Sequence, residues 1–116
     1  MAIHADYPGL TVEIYVNGKP LEEYKDPEEE DAPTTTTRYV ECRSGVEFAI
    51  KTNFTSPFEP MDMSLRAYLD GSKVDGTVVD KYRLLNKVHT QSKTEWKEGK
   101  TWRSSKFLFS ELNVGM

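Results

Sequence analysis

A chain of 116 residues has the length of one ordinary domain and is too short for two independent cores. Leu, Ile, Val and Phe make up 25 of the 116 residues, just above the composition of disordered chains, so a core can form but only a small one. No apolar run exceeds three residues, so neither a transmembrane helix nor a signal-peptide core is expected, and one cysteine with two histidines excludes an internal disulfide and a Cys/His zinc set.

The net charge of −4 hides a reversal of sign along the chain. Residues 1–60 carry 12 acidic and 5 basic side chains, whereas residues 61–116 carry 7 and 10. Seven of the acidic groups, Glu22, Glu23, Asp26, Glu28, Glu29, Glu30 and Asp31, crowd into ten residues against Lys25 alone. Such a field repels phosphate backbones and draws cationic partners, which argues against general nucleic-acid binding over the whole surface.

In chain order, Leu10, Val12, Ile14 and Val16 alternate with polar residues up to Asn17-Gly18, the dipeptide best suited to a two-residue hairpin turn. The return arm is residues 19–24, short and at a sheet edge because Pro20 has no N–H for a ladder. Residues 25–33 hold two prolines and five acidic groups and read as an exposed loop. Residues 34–43 alternate as a strand, and Ser44-Gly45 is expected to fold them back onto 46–53, with Val46, Phe48 and Ile50 on one face.

Pro57 and Pro60 mark a second loop, after which Leu65, Ala67 and Leu69 oppose Arg66 and Tyr68 along a further strand. Asp70-Gly71 and Asp75-Gly76 both read as turns around Lys73-Val74, with a strand over 77–82 to follow. Over residues 83–89, Leu84, Leu85 and Val88 have the spacing of a short helix. Residues 94–97 and 101–109 flank a turn at Glu98-Gly99-Lys100, and the change of phase at Ser104-Ser105 reads as a β-bulge. Together these elements predict an all-β fold, an antiparallel β-sandwich (jelly-roll or immunoglobulin-like) of seven or eight strands with at most one short helix. It spans residues 1–116 as a single domain, with the acidic loop at 25–33 exposed.

The segments His4–Val12, Asn17–Tyr24, Tyr39-Val40-Glu41 with Ser44–Phe48, Tyr68–Gly71 with Val74-Asp75-Gly76, and Lys106–Phe109 resemble an uncharacterised domain of fungal proteins. The resemblance runs over nearly the whole chain. It implies an intracellular fungal β-domain of unknown function, an N-terminal module commonly followed by a polar, charge-rich extension. It carries over no catalytic residues.

Nucleophilic catalysis would need Cys42 or a serine beside His4 or His89 and a third group to orient the imidazole, and the sequence pairs none of these. Cys42 lies in phase with Thr36, Arg38 and Val40 and is expected to face inward as a small apolar residue, while His4 and His89 are expected to be solvated. The acidic loop lacks the glycine and terminal Glu of an EF-hand, so neither metal nor cofactor is expected there.

The resulting expectation is a non-enzymatic protein-interaction module, cytoplasmic or nuclear. Its partner is a basic protein bound through Glu28, Glu29, Glu30 and Asp31, or a second copy of the chain. One alternative is nucleic-acid binding through Trp96, Lys97, Lys100, Arg103 and Lys106, residues that equally make a hairpin with core tryptophans and solvated charges. Another is carbohydrate or small-ligand binding on exposed aromatics such as Tyr15, Tyr68 or Trp96.

Overall fold

The computed structural model describes residues 2–3, 7–28, 30 and 35–109. These residues are mostly strand, paired antiparallel throughout, with one short helix. No helix among them is long and apolar enough to cross a membrane.

The central element is β2 (Leu10–Val16), whose alternating pattern pairs along its length with β6 (Ala49–Phe54). Leu10 faces Phe54, Val12 faces Thr52 and Ile14 faces Ile50, so the even positions of both strands build one apolar face. The other edge of β2 is shared by β1 (Ala2–Ile3) and β3 (Lys19–Pro20), and β6 is flanked by β9 (Val88–Gln91), completing a five-stranded sheet. Asn17 and Gly18 adopt φ of 52° and 76°, the left-handed pair that a two-residue hairpin between β2 and β3 demands. The return arm is shorter than expected. After Leu21 donates to Ile14 O at 2.8 Å, β4 (Glu23–Tyr24) leaves the sheet and pairs with β5 (Tyr39–Val40).

The core lies between this sheet and the hairpin of β7 (Met63–Leu69) and β8 (Ser72–Val79). Phe54 and Leu84 are fully buried, Phe58 and Val79 nearly so, and Leu10, Met63, Leu65 and Leu85 pack against them. Gln91, buried in β9, donates from Nε2 to Leu65 O at 3.1 Å and so ties the sheet to the hairpin. Gly9 closes the bottom of the core. Its carbonyl accepts from Thr55 N at 2.8 Å, its φ is 94°, and a Cβ there would collide with Thr55 O and press on Phe58 N at 2.9 Å. Only glycine lets the start of β2 approach the 55–58 turn closely enough to set Phe58 edge-on against Phe54 at 4.9 Å.

Asp80 caps the single-turn helix α1 (Lys81–Leu84), its Oδ1 accepting from Tyr82 N and Arg83 N, while Asp62 Oδ1 takes Lys81 N at 2.9 Å. The helix thus begins two residues before the expected 83–89 and ends already at Leu84. Val88 is exposed in β9 rather than packed on a helix.

Four local expectations are corrected by long-range pairing. Ser44-Gly45 does turn, yet it joins no hairpin: Tyr39–Val40 binds β4, whereas residues 46–48 bind 107–109 through Phe48 N to Phe107 O (2.9 Å) and Phe109 N to Val46 O (3.0 Å). Phe48 stacks on Phe109 at 4.4 Å and packs on Phe107 at 5.5 Å, contacts that the polar 34–43 arm could not supply. Asp75-Gly76 is not a turn but the interior of β8, and the irregularity falls at Val74, which has no partner between Asp75↔Ala67 and Lys73↔Tyr68. Ser104-Ser105 holds no bulge. β10 (Lys93–Glu98) and β11 (Thr101–Lys106) pair without interruption, and the phase changes where the ribbon ends and Phe107, 2% exposed, donates to Ser92 O. His89 stands in β9, half-buried, its Nε2 3.1 Å from Leu84 O and its ring against Phe54, rather than in a solvated loop; His4 lies outside the described residues.

Phe54→Ala should lower unfolding free energy by about 3–5 kcal/mol, the usual cost of emptying a buried aromatic site. Gly9→Ala should cost at least about 1–3 kcal/mol from the forced φ alone. Urea titrations followed by tryptophan fluorescence would measure both, and a loss under 1 kcal/mol at either site would contradict this account of the core.

Candidate functional site

The acidic loop emerges directly from β4. Lys25, Asp26, Pro27, Glu28 and Glu30 are all exposed, and Asp26 Oδ1 accepts from Glu28 N at 2.9 Å in a local turn. Glu29 and Asp31 lie outside the described residues.

At the root of this loop the β4–β5 pairing opens a cavity of about 330 Å³. Four chain segments build it. Val16 and Asn17 come from the end of β2 and its turn, Leu21, Glu22 and Tyr24 from the return arm, Glu41 and Arg43 from the segment after β5, and Val46 and Phe109 from the aromatic cluster behind. Val16, Leu21, Val46 and Phe109 are half-buried, whereas Glu22, Tyr24, Glu41 and Arg43 are exposed, so the floor is apolar and the rim ionisable. The Glu22 carboxylate beside the Tyr24 phenol raises the tyrosine pKa above its ordinary value of 10.0, and Glu41 adds to the effect. Arg43 forms no ion pair with a described residue, leaving two carboxylates and one guanidinium facing the same space.

The sequence marks an acidic segment but gives no sign of this cavity. Its residues are spread from 16 to 109, and no local pattern marks Glu41, Arg43 or Phe109 as neighbours of Glu22; the signal available was only the density of acids that begins at Glu22.

The second candidate set is divided by its own strands. In the β10–β11 ribbon Trp96 is opposite Arg103 and Lys97 opposite Trp102, so alternation sends Trp96 and Arg103 to one face and Lys97, Trp102 and Lys106 to the other, with Lys100 in the turn. The tryptophans are not core, as Trp96 is 43% and Trp102 67% exposed, because the ribbon pairs only with itself and makes its main other contact with β8. Arg103 Nε lies 2.6 Å from Glu98 Oε2 and Lys106 Nζ 3.5 Å from Glu47 Oε2. Tyr15, Tyr68 and Trp96 stand on three separate sheets, and Tyr15 lies under the Lys51 ammonium at 4.3 Å. Cys42 is exposed rather than inward, since the alternation of residues 36–40 ends with β5. Among the described residues no three His, Cys, Asp or Glu side chains gather in a way that could hold a metal ion.

A family model for a domain of unknown function, DUF7918, matches residues 9–116. The chain belongs to that family. No curated protein and no solved structure matches it. The DUF7918 span begins at Gly9, the residue that closes the core, and contains the acidic loop, every residue of the cavity and the β10–β11 ribbon; β1 precedes it.

Glu22→Gln should bring the Tyr24 pKa down toward 10.0 by removing the adjacent negative charge. Titration of ring-labelled tyrosine by NMR would follow it, and an unmoved Tyr24 would contradict the pairing described here.

Proposed function

We propose that this domain is a non-enzymatic protein-interaction module of a fungal intracellular protein, cytoplasmic or nuclear, which binds a basic partner through the acidic surface of residues 22–31. The observation that carries the reading is the placement of that surface. The segment is exposed wherever it is described beyond Glu23, and it opens beside a cavity whose rim adds Glu41 to Glu22, so the negative field has a shaped site at its base. An exposed free thiol at Cys42 supports a reducing compartment, because such groups oxidise readily elsewhere. The fold is read as an open sandwich, in which the five-stranded sheet and the β7–β8 hairpin are the two layers; their shared cluster of Phe54, Phe58, Val79 and Leu84 supports this.

The exposure of Trp96 and Trp102 favours one second reading, single-stranded nucleic acid held on the β10–β11 ribbon. It ranks below the first because the two tryptophans fall on opposite faces of the ribbon, each with only part of the cations, and two of the cations are engaged by Glu98 and Glu47.

Fluorescence anisotropy with a labelled decalysine peptide tests the first reading. Binding should weaken as salt rises, and the combined change Glu28→Gln, Glu29→Gln, Glu30→Gln and Asp31→Asn should cost about tenfold in affinity while leaving the urea midpoint unchanged. Equal affinity of the variant would refute the acidic-surface reading, and a gel shift of a thymidine oligomer at low salt, lost in Trp102→Ala, would replace it with the second.

A further inference from the structure

We infer that the cavity at the root of the acidic loop is the seat of one lysine side chain from the basic partner. The inference rests on the interaction reading above and names what that site recognises.

At about 330 Å³ the cavity stands at the small end of ligand pockets, room for a single side chain rather than for a packed strand or helix. Its half-buried floor of Val16, Leu21, Val46 and Phe109 offers aliphatic and aromatic surface to a chain of methylenes. Its rim presents Glu22 and Glu41, acceptors only, to whatever group ends that chain. An apolar stem with a cationic tip is the side chain that satisfies both, since the stem gains by leaving water while the ammonium stays at the wet edge.

Charge decides the sign of the ligand. Two carboxylates against the single guanidinium of Arg43 leave the lining negative, and the acidic loop beginning immediately after Tyr24 deepens the field on the approach. The compact ammonium, with three rotatable donors, suits carboxylates on separate segments better than the planar fork of a guanidinium, which prefers one carboxylate bidentately. Arg43 then works against the occupant, so the cavity is not at its tightest for lysine.

Amide-resolved NMR titration of the whole chain with Nα-acetyl-lysine amide provides the test, with the Nε-acetylated compound and Nα-acetyl-norleucine amide alongside. Lysine should shift the amides of Leu21, Tyr24, Val46 and Phe109, and the two uncharged analogues should shift them several-fold less at equal concentration. Glu41→Gln should weaken binding about fivefold and Arg43→Gln should tighten it about twofold; both residues are exposed, so an unchanged amide spectrum elsewhere confirms folding. Opposite effects from two neighbouring substitutions would not follow from loss of structure. Equal shifts by norleucine, shifts confined to other regions, or weaker binding in Arg43→Gln would overturn the inference. Decalysine separates the two levels: binding that depends on the loop carboxylates without lysine entering the cavity sinks only the lysine seat, whereas lysine in the cavity with no response to loop neutralisation sinks the surface reading.

Discussion

Phe54 is removed from water at the one place where β2, the 55–58 turn, the β7–β8 hairpin and α1 all meet, and its burial depends on a contact that only glycine permits. Gly9 O holds Thr55 N, and Asn86 N holds Phe54 O, so the end of β6 is gripped from both sides. With so few large apolar residues in the chain, this cluster has few substitutes. With a core this small, the polar link from Gln91 to Leu65 O adds to the hold between the sheet and the β7–β8 hairpin.

Limited apolar surface has a second consequence. Once Phe54, Phe58, Val79 and Leu84 are enclosed, little remains to cover the β4–β5 and β10–β11 pairs, which stay as two-stranded ribbons. Trp96 and Trp102 therefore remain largely in water, and the ribbon's cations turn to local carboxylates. The β4–β5 pair, lacking a covering layer, leaves the cavity open between itself and the Phe48–Phe107–Phe109 cluster. Acidic residues are tolerated there because water still reaches them.

Period-two patterns proved readable wherever one face is buried. Met63, Leu65, Ala67 and Leu69 point inward and Arg66 and Tyr68 outward, as alternation requires, and Asn17-Gly18 and Asp70-Gly71 make the hairpin turns their types favour. The same rules failed at Asp75-Gly76 and Ser44-Gly45. In the first, seven residue pairs of ladder against β7 outweigh a dipeptide preference; in the second, a true turn leads to strands that find distant partners. Half of the candidate site was legible: the acidic density from Glu22 to Asp31 is a property of composition, but Glu41, Arg43, Val46 and Phe109 join it only through pairings far apart in the chain.

The sequence by itself determined the class of structure, the inward faces of its longer strands, its two-residue turns and the sign of its charged segment, because each depends on neighbours within a few positions. Tertiary structure decided which strands pair, why Phe58 in a proline-bearing loop is core, why Cys42 and the tryptophans are not, and where a cavity forms. Those outcomes depend on which surfaces compete for a small supply of apolar cover, and that competition is settled only when distant segments meet.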